Sequence, residues 1–498
     1  MTTSEGKILE KKLLQGGFWL ISLRISSRFL GFIRSIILAR LLTPADFGLV
    51  GIAMLVLAVL DIVTQTGFDA LLIHRKNPST SLIDTAWSLQ ALRGVFLFVL
   101  AFAIAPWAAQ FFHLSALEMI IRVIAVSLVV TGVRNIGMVF FQKELRFDQT
   151  FKFESLSSFI DLIVSVTLAF VLRDVWALVW GGLAGNISRL LLSYIIHPYR
   201  PHFNLQWENI KSIVTFGKWV TGVGIVYSIQ IQVDTFTIGK VLGAKEVGFY
   251  QMALTVSALI TTEISYLLKQ LTFPSYSMLQ DNLPQLKNTY LEIYKLMALI
   301  LLPLVGILFF LAEEIVGILL GDQWLPSVTC LKLLTIAGAL ATFGRLAYPV
   351  FLALGRPKYE TLIQLASLFC LVIFIYPLTK EFGINGAAGA LCLSNIVVWY
   401  LSLSTSFRVI SCTKKAQLKP IVLSFIATSI MGGVIIMEKK FLGSLGKIWF
   451  LMISLPTGLL VYMGVLYCME KKTGYFIMRP FFERLRQAWK ELPPWFPL

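Results

Sequence analysis

Apolar runs of about twenty residues alternate along this chain with short polar or glycine- and proline-bearing joints. A helix needs about 20 apolar residues to cross the hydrocarbon core of a bilayer. Fourteen spans are predicted: 15–38, 49–68, 85–109, 119–141, 153–172, 175–196, 212–238, 248–273, 293–319, 328–353, 359–379, 384–407, 420–437 and 448–468. The polar stretch HPYRPHFNLQWENIK at 197–211 separates helices one to six from helices seven to twelve. The expected layout is an N-lobe over 1–196, a cytoplasmic inter-lobe loop over 197–211 and a C-lobe over 212–410. Two helices within 411–468 have no counterpart in the first half, and a basic tail over 469–498 follows.

One short pattern occurs twice. ARLLTPADFGLVGIA at 39–53 and GKVLGAKEVGFYQMA at 239–253 align at an offset of 200 residues. Arg40 then matches Lys240, Leu42 matches Leu242, Asp46 matches Glu246, Gly48 matches Gly248 and Ala53 matches Ala253. Each copy joins one apolar run to the next, as an internal duplication would. Six helices separate the copies. An even number keeps both in one orientation, so the halves are expected as parallel repeats about an axis along the membrane normal.

Composition fixes the class. The chain has 498 residues, 57% of them hydrophobic and only 14% charged. Soluble domains carry about 25% charged residues, so an all-α polytopic membrane protein is expected. No cleavable leader is read, because Lys7, Lys11 and Lys12 run into a segment bearing Arg24, Arg28 and Arg34. The net charge of +16 could suggest nucleic acid, but its distribution has another reading. With the N-terminus inside, the inward joints and termini hold 23 Lys and Arg and the outward joints hold 8. That asymmetry places both ends in the cytoplasm and makes most of the excess a topological signal. Nucleic acid is therefore not expected as a partner. The tail sets Phe481, Phe482, Leu485 and Trp489 beside Arg484, Arg486 and Lys490. It reads either as an amphipathic helix on anionic lipid or as a solvated tail.

Charges inside the spans are the candidate chemistry, since a basic residue at mid-depth costs roughly 2.5–3.5 kcal/mol. On the first helix Arg24, Ser27, Arg28, Gly31, Arg34 and Ser35 share a wedge about 120° wide. Such a stripe should face a water-filled cationic cavity or form ion pairs to Asp61 or Asp161. On helix seven Tyr227, Gln230, Asp234 and Thr237 share a wedge of about 80°, with Lys218 on another side. Arg134 and Asn135 on helix four, Asn186 on helix six, Glu263 and Lys269 on helix eight and Arg345 on helix ten add to the set. The basic excess suits an anionic headgroup, because guanidinium forks match phosphate oxygens bidentately. Asn135, Asn186, Gln230 and Asp234 are candidates for sugar hydroxyls or charge balance. Asp61, Asp161, Lys218, Glu263 and Lys269 are candidates for coupling or gating.

Enzyme signatures are missing from the sequence. The histidines His74, His113, His197 and His202 have no HExxH spacing, and GSLGK at 443–447 lacks the spacing of a phosphate-cradling loop. Five scattered cysteines, without CxxC spacing, read as buried thiols rather than a metal site. No cofactor is expected, and a coupling proton or sodium ion stays open. A membrane polysaccharide polymerase or ligase would want a large loop or an acidic pair at the membrane edge, and neither is evident.

Several stretches, in order, resemble one family. VDTFTIGKVLGAKEVGFYQMA at 233–253 resembles the helix-seven-to-eight signature of bacterial polysaccharide flippases. These belong to the multidrug/oligosaccharidyl-lipid/polysaccharide exporter superfamily. The first two helices, FQKELRFDQTFKFE at 141–154, FGKWVT at 216–221, FPSYSMLQDN at 273–282 and GDQWLPS at 321–327 resemble further stretches. The similarity covers roughly residues 10–410 and is greatest to exporters of colanic-acid and teichuronic-acid type. It implies two six-helix lobes forming a V around a cavity that opens alternately to each side. It also implies an undecaprenyl-diphosphate-linked oligosaccharide as substrate, moved to the outer leaflet of the inner membrane. Membrane lipid and the polysaccharide polymerase and export machinery are the further partners implied. By helix position, Arg24 and Arg28 fit the arginines that related lipid II flippases aim at the diphosphate, with Arg134 and Arg345 as helpers. The drug exporters of the superfamily, with an acid-lined cavity for cations, are the alternative.

Overall fold

The computed structural model of the chain describes residues 26–64, 71–73, 75, 78–144, 146–442 and 446–474, with side chains described except at 63, 216–227, 262–271, 273 and 274. Every regular element among them is helical. Helix α1 covers 26–41, α2 Pro44–Val63, α3 Thr80–Phe112, α4 Ser115–Gly132, α5 Phe147–Leu172 and α6 Trp176–Ile196. Then come α7 Trp207–Val241, α8 Ala244–Met278, α9 Leu283–Phe310 and α10 Val328–Arg345. Lys358–Ile410 carries α11 and α12 as two arms on either side of Gly383, before α13 Lys414–Leu442 and α14 Lys447–Thr473. Among the described residues ten helices are long and apolar enough to cross a membrane, with Lys358–Ile410 counted once. Helices α1, α7 and α8 occupy the three other predicted spans. The chain is a multi-pass membrane protein.

Local chemistry sets the ends. Thr43 and Asp46 form a capping box at the start of α2: the Thr43 N–H donates to the Asp46 carboxylate (2.8 Å) and the Asp46 N–H to the Thr43 hydroxyl (3.4 Å). In the second copy of the repeat, Gly243 at φ +91° makes the corresponding turn into α8. Gly383 sits at φ 60° and ψ −143°, a region open in practice to glycine alone. It lets the two arms fold back on each other so closely that a Cβ on Gly386 would overlap the Leu378 carbonyl.

Three predicted spans are broken where the sequence reads as continuous. Helix four ends at Gly132, and the chain restarts as the short helix Met138–Lys143. Between them the Asn135 side chain accepts from the Gly137 N–H (2.9 Å), a local bond that competes with helix. Helix nine stops at Phe310 before the short helix Ala312–Leu319, and helix ten at Arg345 before Tyr348–Ala353.

Packing divides the chain into two units, Met1–Gln251 and Met252–Leu498. That boundary falls inside α8, whereas the sequence places the inter-lobe break at 197–211. The reason is that α7 packs on α2 and α3, and the 197–211 stretch is itself bonded to the first unit. Tyr199 Oη donates to the Asp84 carboxylate, to which the His202 N–H also donates (3.0 Å). The Asn204 N–H donates to Ser88 Oγ (2.8 Å), and Asn135 Nδ2 to the Tyr199 carbonyl (2.7 Å). Burial holds the His197 imidazole below its usual pKa and pushes the Tyr199 phenol up.

In the first unit α3 pairs with α4 and α5 with α6, while α4 also touches α2 and α6. In the second, α10 lies along the α11–α12 pair and α9 packs on α13, which packs on α14. The two C-terminal helices are thus held against α9: Leu299, Ile307, Met431, Ile435, Tyr462 and Leu466 share one core, and Tyr462 Oη donates to the Leu299 carbonyl (3.1 Å). Gly383→Ala should destabilise the protein by about 1–3 kcal/mol through backbone strain. Gly389→Ala, in helix with open space around it, should be neutral or stabilising by up to about 1 kcal/mol. Thermal unfolding midpoints of the two purified variants check this.

Candidate functional site

The polar residues of the first unit sort into pairs. Arg34 Nε on α1 lies 3.3 Å from Asp161 Oδ1 and donates to Ser165 Oγ (3.0 Å), both on α5. Ser165 Oγ in turn donates to Asp161 Oδ1 (3.0 Å). One or two turns away, Arg189 on α6 meets Glu154 on α5 (3.4 Å). The glycine at 185 brings α6 close to Asp161, since a Cβ there would touch its side chain. Two arginines and two acids therefore balance across α1, α5 and α6. Of the alternatives for the arginine stripe, Arg34 takes the ion pair.

Asp61, at the end of α2, is bound by Arg93 of α3: the guanidinium reaches its carboxylate, its carbonyl (2.8 Å) and Thr64 Oγ1 (2.9 Å). Arg122 pairs with Glu118 one turn before it (2.8 Å). Four of the in-span arginines are thus neutralised by acids, which reduces the positive interior expected from a count.

Arg28 is exposed on α1, Arg345 is exposed at the end of α10, and Arg134 is half-buried just beyond α4. Arg24 lies outside the described residues, as do the side chains of Lys218, Glu263 and Lys269. Asn186 and Gln230 are half-buried. Asn135 is 1% exposed, and its amide is spent on the Gly137 and Tyr199 backbone. These bonds hold the α4 joint together. Asp234 is also buried. It accepts from Tyr250 Oη (2.7 Å) and from the Thr235 N–H (2.6 Å), tying α7 to α8.

Arg34 and Asp234 stand at equivalent places of the two copies, so one repeat position carries a cation in one half and an anion in the other. Each is satisfied inside the first unit. The partners Thr64, Ser165 and Tyr250 escape a search for in-span charge because they carry none, and Glu154 of α5 is matched to Arg189 only once the register of α5 on α6 is known. Beside the α1–α5–α6 cluster an open, apolar groove of about 640 Å³ runs between the same helices. Leu30, Leu156, Phe159 and Leu192 line it, and Lys152 and Ser155 are its polar members. Its chemistry suits a lipid chain. Among the described residues no His, Cys, Asp and Glu cluster could hold a metal ion.

Arg34→Ala should destabilise the protein strongly, because Asp161 would be left partly buried and unpaired; a broken buried pair costs about 3–5 kcal/mol. The double change Arg34→Ala with Asp161→Asn should recover much of the loss. A double-mutant comparison of thermal midpoints in detergent tests the coupling.

A family model for polysaccharide biosynthesis proteins matches residues 37–329, more than half of the chain. An uncharacterized membrane protein in the cps region of Klebsiella pneumoniae is 26% identical over 389 residues, 77% of this chain and 79% of that one. The teichuronic acid biosynthesis protein TuaB of Bacillus subtilis is 23% identical over 464 residues, 92% of this chain and 96% of its own. Among solved structures, the lipid II flippase MurJ in an inward closed conformation matches with a TM-score of 0.74 at 15% identity. That match covers 91% of this chain and 100% of MurJ, and at such identity it speaks for the fold. The chain belongs to the polysaccharide biosynthesis protein family.

Proposed function

We propose that this protein is a flippase that carries an undecaprenyl-diphosphate-linked oligosaccharide repeat unit across the bacterial inner membrane for surface polysaccharide assembly. One observation carries the reading: a chain with the fold of a lipid II flippase matches a polysaccharide biosynthesis family over residues 37–329. The teichuronic acid relative, matched along nearly its whole length, supports the same substrate class. Transport proceeds by alternating access, with both termini in the cytoplasm, as the distribution of Lys and Arg between joints requires.

The diphosphate is the part of such a substrate that most resists entering a membrane. Arg24 and Arg28 on the first helix meet it, helped by Arg134 and Arg345. Charge-assisted hydrogen bonds to phosphate are about twice as strong as neutral ones. Asn186 and Gln230 face the sugar. Asp61 and Asp161 act as gating acids through Arg93 and Arg34, the partners whose release would accompany any rearrangement of α1, α2 and α5. Lys218, Glu263 and Lys269 complete the set on helices seven and eight. The protein hands its product to the polymerase and export machinery on the outer face and performs no covalent chemistry itself.

The test is made in cells lacking the gene, complemented with the wild-type protein or with Arg24→Ala plus Arg28→Ala at equal expression. An impermeant probe reports which leaflet holds the lipid-linked repeat unit. Inner-leaflet accumulation is expected in the deletion. In the double variant delivery should fall by at least about tenfold, since each lost contact to a charged group removes about 1.5–3 kcal/mol. Outer-leaflet accumulation of single repeat units in the deletion would instead point to a polymerase. Efflux of cationic dyes by purified protein that ignores polyprenyl diphosphates would point to a drug exporter.

A further inference from the structure

The groove between α1, α5 and α6 has an internal order. Its α5 wall runs Lys152, Ser155, Leu156 and Phe159, spaced three and four apart and so on one face of the helix. Lys152 is the member nearest the start of α5, and it is exposed. Among the described residues its ammonium has neither an ion pair nor a hydrogen bond. Ser155 lies about 4.5 Å further along the axis. Its hydroxyl oxygen is buried and has no hydrogen-bond partner among the described residues, although a helical serine can bond back to the carbonyl four residues earlier. Beyond Ser155 the α5 wall is apolar, and Leu30 of α1 and Leu192 of α6 face it.

A cation, then a hydroxyl in want of a partner, then an apolar trough is the order of groups along a glycerophospholipid: phosphate, ester oxygens, acyl chain. The distribution of Lys and Arg puts the start of α5 and the end of α6 on the cytoplasmic side. Lys152 then stands at the headgroup level of the leaflet whose surface is anionic. Its aliphatic stem can lie along the apolar wall while the ammonium stays among the headgroups. Size narrows the occupant. At about 30 Å³ for each water-sized unit, a groove of about 640 Å³ holds about twenty units, one acyl chain with its ester. An undecaprenyl chain is far longer than that. No guanidinium is among the groove's lining residues to fork onto a diphosphate.

We infer that the groove is a binding site for one acidic glycerophospholipid of the cytoplasmic leaflet, with an acyl chain between α1, α5 and α6 and the phosphate on Lys152. Ser155, by a change of rotamer, donates its hydroxyl to an ester oxygen. The inference goes beyond the translocation reading and does not depend on it. The bound chain lies against the three helices that Arg34 with Asp161 and Arg189 with Glu154 already join. A lipid that binds only the folded arrangement of these helices stabilises it by mass action.

The test uses the full chain in detergent, stripped of lipid and titrated with phosphatidylglycerol or phosphatidylethanolamine under native mass spectrometry. One phosphatidylglycerol should bind at least fivefold more tightly than phosphatidylethanolamine. The preference should vanish in Lys152→Gln and persist in Lys152→Arg. Leu192→Trp, which fills the groove, should weaken binding at least fivefold. Lys440→Gln, at an exposed lysine of the second unit, should leave it unchanged. Added phosphatidylglycerol should also raise the thermal midpoint of the wild type and not that of Lys152→Gln. Equal affinity for the two lipids overturns the inference, as does unchanged binding in Lys152→Gln or a loss in Lys440→Gln as large as in Lys152→Gln. A second readout needs no variant. Phosphatidylglycerol carrying a diazirine on one acyl chain, photolysed with the wild-type protein in membranes, should label peptides of α5 and α6. Labelling confined to other helices overturns the site. So does displacement of phosphatidylglycerol by undecaprenyl phosphate at lower concentrations than phosphatidylglycerol itself needs, which would give the groove to the carrier lipid.

Discussion

An arginine inside a bilayer must find a carboxylate or water, and the first unit is arranged around that constraint. Arg34 reaches Asp161 and Ser165, Arg189 reaches Glu154, and Arg93 reaches Asp61 and Thr64. Each pair ties two neighbouring helices. The registers of α1 on α5, of α6 on α5 and of α3 on α2 are therefore fixed by charge. An apolar interface between helices slides with little penalty, whereas a guanidinium moved one turn from its carboxylate loses its partner.

Pairing four in-span arginines with acids satisfies those charges inside the fold. That pairing explains how the protein keeps these charges in its spans and still folds in a membrane. The approach of Gly48 to Ala244 and of Gly248 to Pro44 supplies what charge cannot, a contact of two helix starts with no side chain between them.

The C-terminal pair of helices follows a different logic. Helices α13 and α14 lie against α9 through a largely aliphatic cluster that includes Phe450 and Tyr462, and Tyr290 Oη of α9 donates to Gln417 Oε1 of α13 (3.1 Å). They add apolar surface to the second unit. The ion pairs they do make, Lys439 with Glu313 and Glu314 and Lys447 with Asp322, stand at the ends of helices.

The sequence by itself determined the number and order of the helices, because crossing hydrocarbon demands about 20 apolar residues whatever they pack against. It determined the duplication, visible as matched residues at 39–53 and 239–253, and the family, carried by ordered stretches over most of the chain. It also marked Arg34 and Asp161 as charges in need of a reason. What it could not decide was which charge meets which, since a partner on another helix depends on a rotation and a register that hydrophobicity leaves open. Hence the sequence does not single out Glu154, Ser165 and Tyr250 as partners, nor show that the Asn135 amide bonds the backbone at a helix end. The breaks after Gly132, Phe310 and Arg345 were hidden for a related reason, because apolar residues continue through them. Only the tertiary structure turned the repeat into a contact. Two glycines 200 residues apart carry no sign in the sequence that each makes room for the other's backbone.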